Sequence, residues 1–183
     1  QELQENWGKH PEKTVAITFD DGYLDNLENA FPILEKYQAK ATIYVVVDRH
    51  DRDWSTYKKA HHNSGELARE PKLNDDQVRQ LANSGLVEIG SHTLTHANLS
   101  KLDDDQCLNE LVQSKLQLES MTGKPVSSFA YPFGIYSQRD VDLAKQAGYT
   151  NAVTTVEGID SLTPDFMQLQ RIKSGVSESI PST

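Results

Sequence analysis

Short apolar runs rich in β-branched residues alternate along this chain with stretches of helical periodicity, and that alternation narrows the fold more than any other feature. Runs at about 14–19, 41–47, 86–89, 128–131, 151–154 and 169–172 read as strands. The stretches opening at Asp25, Asn74, Asp103 and Ser137 read as helices. In the first of these, Pro32 would break the hydrogen-bond ladder unless it fell in the first turn, so the helix proper is expected to start near Ala30. Asn74-Asp75-Asp76-Gln77 has the pattern of a capping box, and Gly85 closes that helix. The third helix places Cys107, Leu108, Leu111, Leu118 and Met121 on one stripe and stops at Gly123 and Pro125. Strands alternating with helices predict a parallel α/β arrangement. With 183 residues and no repeat, low-complexity tract or linker, residues 1–183 read as one domain. A polar stretch at about 48–73, carrying Trp54, Tyr57, His61 and His62, interrupts it. A connection that long is commonly functional, here as a substrate-facing lid or else as a plain surface excursion.

Two strand ends carry the chemistry. Val15-Ala16-Ile17-Thr18-Phe19 runs into Asp20-Asp21-Gly22. Alternation along a strand sends adjacent carboxylates in different directions, so one can bind a metal while its neighbour does acid–base work. By itself the pattern is also that of a strand entering an Asp-Gly turn. The second cluster is His92-Thr93-Leu94-Thr95-His96, after the apolar run that ends at Ile89. One helical turn would put both imidazoles on one face. Two neutral imidazoles and one carboxylate make a three-ligand base of the kind that holds a catalytic zinc. Together the two clusters favour a metal site.

These residues resemble the polysaccharide deacetylases of the NodB-homology type (carbohydrate esterase family 4). Thr18-Phe19-Asp20-Asp21-Gly22 matches that family's first motif and His92-Thr93-Leu94-Thr95-His96 its second, and the likeness runs from about Lys13 to Lys173. The resemblance implies Asp20 as catalytic base and Asp21, His92 and His96 as ligands of a divalent metal, zinc by expectation, with cobalt or nickel possible. It also implies a backbone N–H at Phe133 for the oxyanion, and removal of N-acetyl groups from an N-acetylglucosamine-containing polysaccharide. The implied fold is a distorted, incomplete (β/α) barrel of about seven strands; six are visible here, the expectation for a short or trimmed version. Family resemblance further implies an extracytoplasmic location.

The likeness thins in three places. The third motif, usually Arg-x-Pro-Tyr or Arg-x-Pro-Phe, reads Ala130-Tyr131-Pro132-Phe133 and lacks the arginine that orients the aspartate. The fifth, usually Leu-x-His, reads Leu169-Gln170-Arg171, leaving no histidine where the family's general acid sits. No tryptophan-containing fourth motif is visible. One reading connects the first two departures: Arg171 reaches Asp20 and replaces the missing arginine. The other makes Arg171 a surface residue or the partner of a different acid. A missing acid also keeps two further functions open: an O-acetyl esterase on acetylated xylan or similar, and a metal-retaining carbohydrate-binding module.

Charge and composition limit the partners. The net charge of −9 argues against nucleic acid and against anionic membranes. No apolar run approaches a bilayer span. The lone Cys107 excludes an internal disulfide and a thiolate cluster. A neutral or cationic polymer is the compatible partner on charge; the family resemblance implies an acetylated polysaccharide or oligosaccharide, and a monomer is expected.

Overall fold

The computed structural model describes residues 1–11, 13–52 and 69–174. Trp54, Tyr57, His61 and His62, and with them the lid reading, lie outside the described residues. Among the described residues six strands follow the chain in strict order: β1 (Ile17–Asp21), β2 (Ala41–Val45), β3 (Val87–Ser91), β4 (Ser128–Ala130), β5 (Asn151–Glu157) and β6 (Leu169–Arg171). Every neighbouring pair is parallel. Among the described residues the α-helices are α1 (Glu2–Glu5), α2 (Phe31–Tyr37), α3 (Asp75–Ala82), α4 (Asp104–Thr122) and α5 (Gln138–Ala147), with a π-helical turn at Asn26–Ala30 before α2.

Local chemistry explains most boundaries. Pro32 falls in the first turn of α2, where its missing N–H costs nothing, and the irregular turn before it absorbs the break. Reciprocal capping boxes start α3 (Asn74 with Gln77), α4 (Asp103 with Gln106) and α5 (Ser137 with Asp140). Gly123 and Gly148 end α4 and α5 in the left-handed conformation. β1 begins later than its apolar run suggests and takes in both aspartates, because its pairing with β2 starts only at Ile17↔Ala41 and Val15 is left exposed.

A sequential all-parallel order belongs to a sheet that curls, not to a doubly wound one whose order reverses. Laid flat, β1 and β6 would stand roughly 24 Å apart at ordinary strand spacing. Instead Arg171 on β6 hydrogen-bonds Thr18 and Asp20 on β1. The six strands thus form a curled half-barrel, the incomplete (β/α) barrel that the family resemblance implies. The outer face packs Ile43, Val45, Ile89, Phe129 and Ala152 against helical Leu34, Val78, Leu81, Leu111, Leu118 and Val141 in the main core. Inside the curl, Tyr44, Ala130 and Val153 form a small second cluster with Leu169 against it. No helix among the described residues is long and apolar enough to cross a membrane.

Candidate metal and catalytic site

Parallel strands deliver their C-terminal ends to one rim of the barrel, and the ionisable residues collect there. β1 breaks at Asp21, which has φ 79°, followed by Gly22 at φ 85°. That turn separates two adjacent carboxylates. Asp21 points to the histidines, with Oδ1 at 3.2 Å from His92 Nε2 and 3.4 Å from His96 Nε2. Asp20 points to Arg171, whose Nη1 and Nη2 donate to Oδ1 and Oδ2, each at 2.8 Å. The same guanidinium donates through Nε to the Thr154 carbonyl at 2.7 Å, so β5 fixes its plane.

The histidines do not meet on a helical turn. β3 runs into a loop in which Thr93 (φ 70°) and His96 (φ 58°) are left-handed. The loop's backbone groups find partners in neighbouring elements: Val47 and Asp48 N–H donate to the carbonyls of Thr93 and Leu94. Leu94 and Thr95 N–H donate to the Glu110 carboxylate. With those partners supplied, helical bonding is not needed. Of the seven non-glycine residues at positive φ among those described, Asp21, Thr93, His96 and Phe133 belong to this rim. Each such conformation costs on the order of 1–3 kcal/mol and persists only where its surroundings fix it.

The donor set fits a divalent metal. Ligand atoms of Asp21, His92 and His96 all lie within 4.8 Å of one another. His92 Nδ1–H donates to the Ala130 carbonyl at 2.7 Å, which leaves the Nε2 lone pair directed into the cluster, as metal-binding histidines require. Burial works to push the Asp21 carboxyl up, but the His92 and His96 imidazoles against it outweigh burial and hold it far below the usual range. Burial also acts to neutralise His92, yet Asp21 and the nearby Asp20 raise it overall. At His96 burial wins and the imidazole shifts down.

The Tyr131-Pro132-Phe133-Gly134 turn forms one wall. The Phe133 ring sits edge-on to His96, centroids 4.5 Å apart. Gly134 lets this turn lie against β5: at φ 66°, a Cβ there would lie 1.8 Å from Thr155 Oγ1. Every site residue anticipated from sequence is therefore on this rim: Asp21, His92 and His96 in one cluster, Asp20 and Arg171 in an ion pair, and Phe133 against His96. Sequence reasoning missed Glu110, and gave Thr18, though inside the first motif, no role of its own. Glu110 carried a signal, since it stands on the buried side of α4 with Cys107, Leu111 and Ser114, at spacings where an apolar residue is expected.

A curled parallel barrel with an acid–imidazole cluster at the C-terminal strand ends defines the class. The chain belongs to the polysaccharide deacetylase family, whose model matches residues 8–152. It is 33% identical over 165 residues to YxkH of Bacillus subtilis (strain 168), which carries the family's name, covering 90% of this chain and 53% of that protein. It is 27% identical over 149 residues to a poly-β-1,6-N-acetyl-D-glucosamine N-deacetylase of Staphylococcus aureus (strain MRSA252), covering 77% of this chain and 47% of that one. Among solved structures, BC0361, a polysaccharide deacetylase from Bacillus cereus, superposes with a TM-score of 0.72 at 31% identity, over 92% of this chain and 50% of the other. The chain spans about half the length of the curated relatives it matches.

Proposed function

We propose that this chain is the catalytic domain of a metal-dependent hydrolase that removes N-acetyl groups from an N-acetylglucosamine-containing polysaccharide. The observation that carries the reading is the division of labour at Asp20 and Asp21: one carboxylate is committed to the histidines, the other to an arginine. Asp21, His92 and His96 would hold the metal, zinc by donor type, with cobalt or nickel as substitutes. When bound, the metal supplies acidification of a water molecule and polarisation of the acetyl carbonyl.

The remaining work falls to the chain's own groups. Asp20 takes the proton of the attacking water, and Arg171 aims its carboxylate and balances its charge. The Phe133 backbone N–H is assigned to the developing oxyanion on the family resemblance. Asp20 then returns its proton to the departing amine nitrogen, because Arg171 stands where the family places an imidazole. The S. aureus relative, by its name, supports an N-acetylglucosamine polymer as substrate. Family resemblance supports an extracytoplasmic location and an acetylated polysaccharide as the partner.

Arg171 in the imidazole's place also favours a second reading, an O-acetyl esterase, since an alkoxide can leave without the prior protonation that an amide nitrogen requires. Acetate release from chitopentaose, a poly-N-acetylglucosamine oligomer, peptidoglycan and acetylated xylan separates the two. It should be measured on chelator-stripped protein and after zinc, cobalt or nickel is restored. Metal-dependent release from the glycans supports the proposal, and release from xylan alone transfers it to the ester. No release with metal bound leaves a carbohydrate-binding module.

A further inference from the structure

We propose that Glu110 is a positioning residue that holds the His92–His96 loop in its metal-binding conformation, an inference that rests on the metal reading above. Glu110 lies on α4, outside both sequence motifs, and is 9% exposed. Its Oε2 accepts the backbone N–H groups of Leu94 at 2.9 Å and Thr95 at 3.0 Å, and its Oε1 accepts the Thr95 hydroxyl at 2.7 Å. The three donors all lie between the two histidines. One carboxylate thus anchors the middle of a loop whose left-handed residues, Thr93 and His96, would relax if released.

The anchor is itself fixed. The capping box at Asp103 and Gln106 sets where α4 begins. Burial of Cys107, Leu111 and Leu118 sets the face it turns to the sheet. One turn beyond Glu110, Ser114 Oγ bonds Ser91 Oγ at 2.8 Å, at the end of β3 where the loop starts. Glu110 and Ser114 therefore grip the middle and the root of the loop from one helix. Residues that orient metal ligands in this way govern affinity, and their loss typically weakens binding roughly 10- to 100-fold.

The test is zinc affinity, by competition with a chromogenic chelator, for wild type, Glu110→Ala, Glu110→Gln, Thr95→Val and Leu111→Ala, with a melting curve for each metal-free protein. Glu110→Ala should weaken zinc binding roughly 10- to 100-fold. Glu110→Gln keeps an acceptor for both N–H groups and should stay near wild type. Thr95→Val should fall between. Leu111→Ala opens a cavity on the same helix and should lower the melting temperature without a matching loss of affinity. Wild-type affinity in Glu110→Ala, or an equal loss in Leu111→Ala, overturns the role of Glu110. Should Glu110→Ala fail to fold, unchanged affinity in Thr95→Val overturns it equally. Wild type that binds no metal overturns the metal reading first, and this inference with it.

Discussion

Arg171 and Asp20 meet as a two-point ion pair, both N···O distances 2.8 Å, across a separation of 151 residues. The pair bridges the two edge strands of the sheet and orients the carboxylate assigned as base. Removing the guanidinium should therefore cost turnover rather than metal. Arg171→Ala is expected to lower kcat by roughly 10²-fold or more, within the range for a misaimed general base, while elemental analysis finds the metal content of wild type. Unchanged kinetics would separate Arg171 from the reaction.

Asp20→Asn keeps the shape of the base and removes its proton affinity. Turnover should fall by roughly 10²- to 10⁴-fold with metal still bound. Near-normal rates would show that another group accepts the proton.

Asp21→Ala, His92→Ala and His96→Ala should each lose metal. Each removes one of three clustered donors, and two donors leave too little to retain zinc through dialysis. Metal content after gel filtration decides the point, independently of any substrate.

Gly134→Ala should destabilise the fold by more than about 1 kcal/mol, because a left-handed backbone and a Cβ inside Thr155 must both be accommodated. The same shift would displace Phe133 from His96, so acetate release should fall along with the denaturation midpoint. A midpoint equal to wild type would mean that the turn has room to adjust.

Cys107 offers a pH-dependent readout away from the site. Burial, with Asp140 beside it, pushes its thiol from 9.0 up to about 12. Only a thiolate alkylates readily, so native protein at pH 8 should resist iodoacetamide and become labelled after unfolding. The sign for stability follows. Above about pH 9 the unfolded thiol has lost its proton while the folded one keeps it. Stability present below that pH should therefore decline as pH rises toward 12, and decline less in Cys107→Ala. Rapid native labelling would contradict the burial.

Local chemistry is what the sequence by itself determined. β-branched runs, capping residues and helix-ending glycines act over a few residues, so the strand–helix alternation and the six strands were legible before any coordinates. Asp20, Asp21, His92 and His96 were legible for the same reason, as ionisable groups at or just past the C-terminal ends of strands. Tertiary structure decided what those groups face. Whether Arg171 lay on the surface or on Asp20 depended on the accumulated curl of six strands, which no window of sequence contains. The histidine spacing suggested a helical turn, but Val47, Asp48 and Glu110 supply the loop's hydrogen bonds from outside and stabilise a left-handed path instead. Glu110 stood at a stripe position of α4, but its spacing alone named no partner for it. Only the packing of α4 against β3 turned it inward, where a buried carboxylate must find donors and the loop between the histidines provides them.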